Sequence, residues 1–256
     1  MRILFLTLAL GLAAAPATAQ QGRYQPPPPG DTVRYVAISA GRVTGHEHIW
    51  RDADGTLHSQ FEYNDRGRGP SVHTRVRVDE RGFPVWIQAE GVNYYKVPVR
   101  ETFEARGGRA VWENSADRGD QAVSGPFWYA SMDASFDSGL LPRALLASPE
   151  RSLPLLPAGR VRIEPGTELR VSAGGRTKTV RQYAISGFGF SPYHLWLDEN
   201  LEFFAAGGDW LAFVREGWEG ALPELFRADQ EAEALILARL ATLYPGVQTV
   251  AEEAEV

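Results

Sequence analysis

Alternation with a period of two constrains this chain more than any other feature, and it is clearest between Phe61 and Gly91. Val72, Thr74, Val76 and Val78 fall on one face of an extended segment, and His73, Arg75 and Arg77 on the other. That pattern describes a strand with one face buried and one wet. Before it, Phe61 and Tyr63 alternate with Glu62 and Asn64; after it, Phe83, Val85, Ile87 and Ala89 alternate with Pro84, Trp86, Gln88 and Glu90. The connections at 65–70 and 79–82 are short and carry glycine, so the three segments read as an antiparallel meander.

The same grammar extends along the chain. Strands are expected over 33–38 and 42–51, with a turn at 52–55 leading into the meander. Residues 93–105 read as one long strand turned at Arg106-Gly107-Gly108 and returning over 110–114, and the polar stretch 115–120 reads as a loop. Further strands are expected over 159–163, 168–173, 176–186, 194–198 and 201–206, with a last extended segment at 209–214. Phe127-Trp128-Tyr129 supplies aromatic area for a core.

Two segments change period. Asp137 or Ser138 is placed to cap a short helix with Leu140, Leu141, Ala144 and Leu145 on one face and Pro142 in its first turn. From Ala221 to Tyr244, Leu222, Leu225, Phe226, Ala232, Leu235, Ile236, Leu240 and Leu243 recur at helical spacing. The fold expected is mainly β: an antiparallel curved sheet or open barrel over 31–218, with one inserted short helix as plug or cover. A C-terminal helix over 219–245 and an acidic tail over 246–256 complete it.

Residues 1–19 carry one positive charge at Arg2, an apolar run from Ile3 to Ala15, and small residues at Ala17-Thr18-Ala19, the pattern of a cleaved secretory signal peptide. The Pro26–Pro29 run in residues 20–30 predicts an extended leader arm. The chain has no cysteine, so an exported, periplasmic or secreted product would rest on its core rather than on disulfides. A net charge of −6 without a basic run offers no electrostatic footprint for nucleic acid or anionic lipid, so neither nucleic acid nor, after signal cleavage, membrane is expected as a partner.

Candidate chemistry is sparse. His46-Glu47-His48 puts two imidazoles on one face of a strand, as a metal site requires, but His58, His73 and His194 form no second ligand motif with it; surface or cross-strand pairing of histidines is the simpler reading. Ser124 lacks the strand-to-helix setting of an activated nucleophile, and Asp133 and Asp137 read as turn or cap residues rather than an acid/base pair. Arg66 and Arg68 flank Gly67 in a turn able to hold an anion or simply to be solvated. No catalytic, cofactor-binding or metal-binding residue is therefore assigned, and no cofactor is expected in this chain. Trp86, Tyr94, Trp112, Trp128 and Trp196 are the aromatics from which a curved sheet would build either plain core or an apolar cavity.

Several strings in this order resemble the β-rich N-terminal region of large exported bacterial amidohydrolase-family proteins: 63–70 (YNDRGRGP), 140–146 (LLPRALL), 155–159 (LLPAG), 183–187 (YAISG) and 214–218 (VREGW). The resemblance spans about Tyr35 to Leu240. It implies an accessory domain that precedes a metal-dependent (β/α)8 hydrolase barrel, in which histidines, often a carboxylated lysine, and an aspartate activate water. None of these strings is catalytic, and His46 and His48 do not match the family's H-x-H, which lies within the barrel. The resemblance therefore implies an exported accessory domain, non-catalytic alone, that supports or docks to such a barrel or self-associates through Leu235, Ile236, Leu237 and Leu240 of the last helix. The different-class alternative is a free-standing periplasmic β module that binds a ligand or docks a partner.

Overall fold

The computed structural model describes residues 32–136 and 138–243, with the side chains of residues 240, 241 and 243 excluded. The expected signal peptide, proline-rich leader and acidic tail, and Asp137, lie outside the described residues. Eight strands come first: β1 (Val33–Ser39), β2 (Arg42–Arg51), β3 (Leu57–Tyr63), β4 (Ser71–Val78), β5 (Pro84–Val92), β6 (Pro98–Arg106), β7 (Arg109–Glu113) and β8 (Arg118–Ala122). After β9 (Trp128–Tyr129) and the helix α1 (Leu140–Ala147) come β10 (Ser152–Leu156), β11 (Arg160–Ala173), β12 (Arg176–Ser186), β13 (Tyr193–Asp198), β14 (Phe203–Gly207) and β15 (Ala212–Arg215). A 3-10 turn (Glu219–Ala221) leads into α2 (Leu222–Leu243).

The strands form one sheet in the order β8-β7-β6-β5-β4-β3-β2-β1-β15-β14-β13-β12-β11-β10-β9. Two meanders are thus joined where β1 pairs antiparallel with β15, Tyr35 opposite Arg215 and Ile38 opposite Ala212. A parallel pairing occurs at the far edge, where Trp128 and Tyr129 of β9 lie opposite Leu155 and Leu156 of β10. β8 and β9 are the two edges, and the sheet does not close into a barrel. It is nevertheless curled: Phe103 and Trp112 of β6 and β7 share a core cluster with Ile163 and Leu195 of β11 and β13.

Alternation sets the two faces as expected. Val72, Thr74 and Val76 are buried in β4, while His73, Arg75 and Arg77 point to the outer face. The inner face is covered by α1, through Leu140, Ala144 and Leu145, and by the segment around β9. α2 covers part of the outer face instead: Leu222, Leu225 and Ala228 pack against Val36, Val180, Trp196 and Phe204.

The departures from the sequence reading have local causes. Residues 93–97 are a turn and not part of a long strand, because the side chain of Asn93 accepts the backbone N–H groups of Tyr95 and Val97 and reverses the chain. Residues 118–122, expected to begin in a loop, form β8, a strand paired with β7 although most of its side chains are exposed. Pro165-Gly166 does not end a strand; it sits at a register shift inside β11, a bulge position where proline is tolerated. Helix α1 starts after Gly139 without a side-chain cap, so Ser138 does not cap it.

Candidate functional site

The segment that follows β9 crosses the inner face and is pinned there by side chains that point inward from the strands. On β6, Val99, Glu101 and Phe103 are all buried on the same face. Glu101 meets the crossing segment with both oxygens: it accepts from Tyr129 Oη at 2.7 Å, Ser131 Oγ at 2.7 Å, and the backbone nitrogens of Met132, Asp133 and Ala134 at 3.2, 2.7 and 2.9 Å. A carboxylate without solvent contact requires such a shell of donors. Burial, and after it the hydrogen bond to Glu101, raises the Tyr129 phenol above its ordinary pKa, so it remains a donor.

The crossing continues toward β2. Ser135 donates from its backbone nitrogen to Thr74 Oγ1 at 3.1 Å, and its hydroxyl donates to Glu47 Oε1 at 2.8 Å; Ser59 Oγ donates to the same Glu47 oxygen at 2.7 Å. These bonds hold the segment over the meander and leave an apolar cleft on its other side.

That cleft, about 430 Å³, lies between the crossing segment, α1 and strands β12 and β13. Trp128, Phe136, Leu141 and Pro142 form one wall, and Ile185 and Leu195 the other. Leu141 packs against the core cluster with Leu140, as expected, but is only partly buried and also lines the cleft. Phe188 and Tyr193 stand at its mouth, 51% and 46% exposed. The Tyr193 hydroxyl makes no hydrogen bond to a described residue, and Tyr193 borders both this cleft and a depression beside α2. Of the five aromatics singled out as possible cavity walls, Trp128 alone lines it; Trp112 and Trp196 are core, Trp86 lies under Arg77, and Tyr94 belongs to the 93–97 turn.

A second depression, about 370 Å³, lies between α2 and the starts and ends of β13 and β14, with His194, Phe226, Asp229 and Glu233 along it. Asp229 accepts from Gln182 Nε2 at 2.6 Å and from Trp196 Nε1 at 3.1 Å; burial outweighs these bonds and raises its pKa above the ordinary value. The carboxylate thus acts as a clamp between α2 and the sheet.

The histidine motif is divided between faces. His46 and His48 are on the outer face with rings stacked at 5.8 Å, but Glu47 is buried on the inner face and belongs to the Ser59 and Ser135 network. His58 and His73 form a cross-strand pair, Nδ1 to Nε2 at 3.2 Å, with Asp52 at 3.0 Å from His58 Nε2 and the Trp50 ring stacked on both. Among the described residues no group of three or more His, Asp or Glu gathers as a metal site. Asp133 pins the loop at Ser115 with bonds of 2.7 and 2.8 Å, Ser124 is exposed in a connection, and Asp65 lies 3.0 Å from Arg66 and 3.9 Å from Arg68.

Glu101, Glu47 and Tyr193 do not stand out in the sequence as site residues. The available signal is phase: Glu101 falls in step with Val99 and Phe103, and Glu47 with Ile49, so each carboxylate lies on the apolar parity of its strand. Fold and site together define a curled-sheet β protein with an internal crossing segment and an apolar cleft. Comparison with protein-family models, curated proteins and solved structures gives no match.

Proposed function

We propose that this chain is an exported β module that binds one small amphipathic molecule in the cleft beside the crossing segment. The observation that carries this reading is the cleft itself: a volume of about 430 Å³ walled by Trp128, Phe136, Leu141, Ile185 and Leu195, with Tyr193 at its mouth. Apolar walls with one placed donor are the usual composition of a small-molecule site. Two of the three serines that line the cleft, Ser131 and Ser135, are engaged by Glu101 and Glu47, and Ser138 has no histidine beside it in the cleft lining, which favours binding over nucleophilic chemistry. Export rests on the pattern of residues 1–19. Titration with a fluorescent fatty acid tests the reading: saturable enhancement that Ser138→Trp abolishes by filling the cleft is expected, and unchanged binding in that folded variant contradicts it.

A second reading, the accessory domain of a metal-dependent amidohydrolase, is favoured by one observation. Beyond the Asp229 clamp, α2 buries no large side chain among the described residues, and Leu235 and Leu237 are 74% and 53% exposed. A separately encoded hydrolase barrel is the partner in this reading. Co-purification with such a barrel, lost in Leu237→Glu while the β sheet stays folded, would support it, and a strictly monomeric wild type that captures no barrel would remove it.

A further inference from the structure

We infer that one end of the sheet docks on a lipid bilayer surface, an inference that stands on exposed side chains and not on the cleft reading. The alternating strand directions send the connections 40–41, 64–70, 93–97, 114–117, 157–159, 187–192 and 208–211 to one end and 52–56, 79–83, 107–108, 174–175 and 199–202 to the other. Every exposed aromatic among the described residues is at the first end: Tyr95 (72%), Phe188 (51%), Phe190 (112%), Tyr193 (46%) and Trp210 (59%). Val43 and Val97 join them there, and the connections described at the opposite end have no exposed large apolar side chain.

Single exposed apolar residues are ordinary, but five aromatics confined to one rim are not. They belong to three separate connections and a strand start, so they project as tips rather than form one flat patch. Gly187 (φ +122°) and Gly207 (φ +111°) launch the two protruding loops, and a Cβ there would stand 2.2 and 2.3 Å from the carbonyl oxygens of Arg160 and Leu211. Around Gly189 and Gly208 a Cβ would meet nothing within 4 Å, so the backbone is open at these two points.

Charge separates the two ends in the same sense. The connections at the aromatic end carry Arg66, Arg68 and Lys96 against Asp65, Asp117 and Asp209, and Asp65 is already bonded to Arg66 and Tyr94. Those at the opposite end carry Asp52, Asp54, Asp79, Glu80, Glu199 and Glu202 against Arg81, with Asp54, Glu199 and Glu202 paired to Arg77, Lys178 and Arg215 of the adjoining strands. The connections at the aromatic end thus carry no net negative charge, and an anionic surface admits them. Tyr, Trp and Phe tips beside Arg and Lys are the residue types that settle at the headgroup level, where each ring has an apolar body to bury. The expectation that membrane is not a partner rests on net charge and the lack of a basic run; aromatic insertion needs no such run, and residues 95, 188, 190 and 210 share one end only through the topology. The cleft opens past Phe188 and Tyr193 at this same end, so a docked module would face its ligand's source.

Sedimentation with vesicles of phosphatidylethanolamine and phosphatidylglycerol tests the inference, with Phe190→Ser/Trp210→Ser as the variant because both side chains are exposed and their loss leaves the core intact. The bound fraction of wild type should fall at least about tenfold in the variant, since each ring contributes apolar burial in the interface. Trp210 emission should shift to the blue when wild type meets vesicles. Wild type that stays in the supernatant, or a variant that sediments equally well, overturns the proposal, whether or not a protein later proves to cover this rim. Fluorescent fatty-acid binding in vesicle-free buffer is read in parallel; its retention in the variant separates failure of docking from failure of the cleft.

Discussion

The carboxylate of Glu101 on β6 lies 2.7 Å from the backbone nitrogen of Asp133, a residue 32 positions further along the chain. With the adjoining amides of Met132 and Ala134, this contact turns a glutamate on the apolar parity of a strand into the anchor of a segment that crosses the curled sheet. The cleft exists because that segment is held against one half of the inner face and not across both.

Glu101→Gln should therefore be costly although it is nearly isosteric. An amide replaces one acceptor oxygen with a donor that faces N–H and O–H groups, so about 2–4 kcal/mol of stability is expected to be lost. Urea unfolding followed by circular dichroism measures it, and a midpoint equal to wild type would contradict the anchoring role.

Ser135→Ala removes a smaller piece of the same fastening. Glu47 keeps its bond from Ser59, so the expected cost is about 1 kcal/mol. Hydrogen exchange should rise around residues 131–136 while the β4 and β5 amides keep their protection; uniform loss across the sheet would speak against a locally tethered segment.

Asp229 gives a pH signature. Its pKa is raised above 3.8 in the folded chain by burial, so the native state holds a proton that the unfolded chain has released, and its contribution to stability falls as pH rises through that window. Asp229→Asn retains an acceptor for Gln182 and Trp196 without the charge. Its stability relative to wild type should grow from acid to neutral pH, and a difference independent of pH would refute the assignment.

His73 has the opposite sense. Burial, then the charge of His58, lowers its pKa below 6.5, so the unfolded chain binds more protons and stability is lost as pH falls below that value. Thermal unfolding between about pH 7.5 and pH 5 should show a smaller decline in His73→Gln than in wild type. Equal declines would place the pH dependence elsewhere.

How much of this is legible in the sequence depends on which faces are wet. β4 is readable because Val72 and Val76 are buried while Arg75 and Arg77 are not. β8 is invisible because Arg118, Asp120, Gln121 and Ala122 are all exposed and leave no alternation to read. The turn at 93–97 is masked because Tyr95 and Val97 continue the apolar pattern by type while sitting exposed in a loop that Asn93 closes. The crossing segment leaves no trace in the pattern at all: its bonds join Glu47, Thr74 and Glu101 to residues 28 to 88 positions away, and no periodicity encodes such contacts. The aromatic rim is likewise a product of strand direction, not of any local motif.

The most direct measurement is the amide and methyl NMR spectrum of the protein titrated with decanoate. Saturable shifts are predicted at Leu141, Ile185, Tyr193 and Leu195, spreading to residues 128–138 and leaving the outer-face histidines unmoved. Shifts that never saturate, or that gather away from these residues while the cleft stays silent, would contradict the binding account.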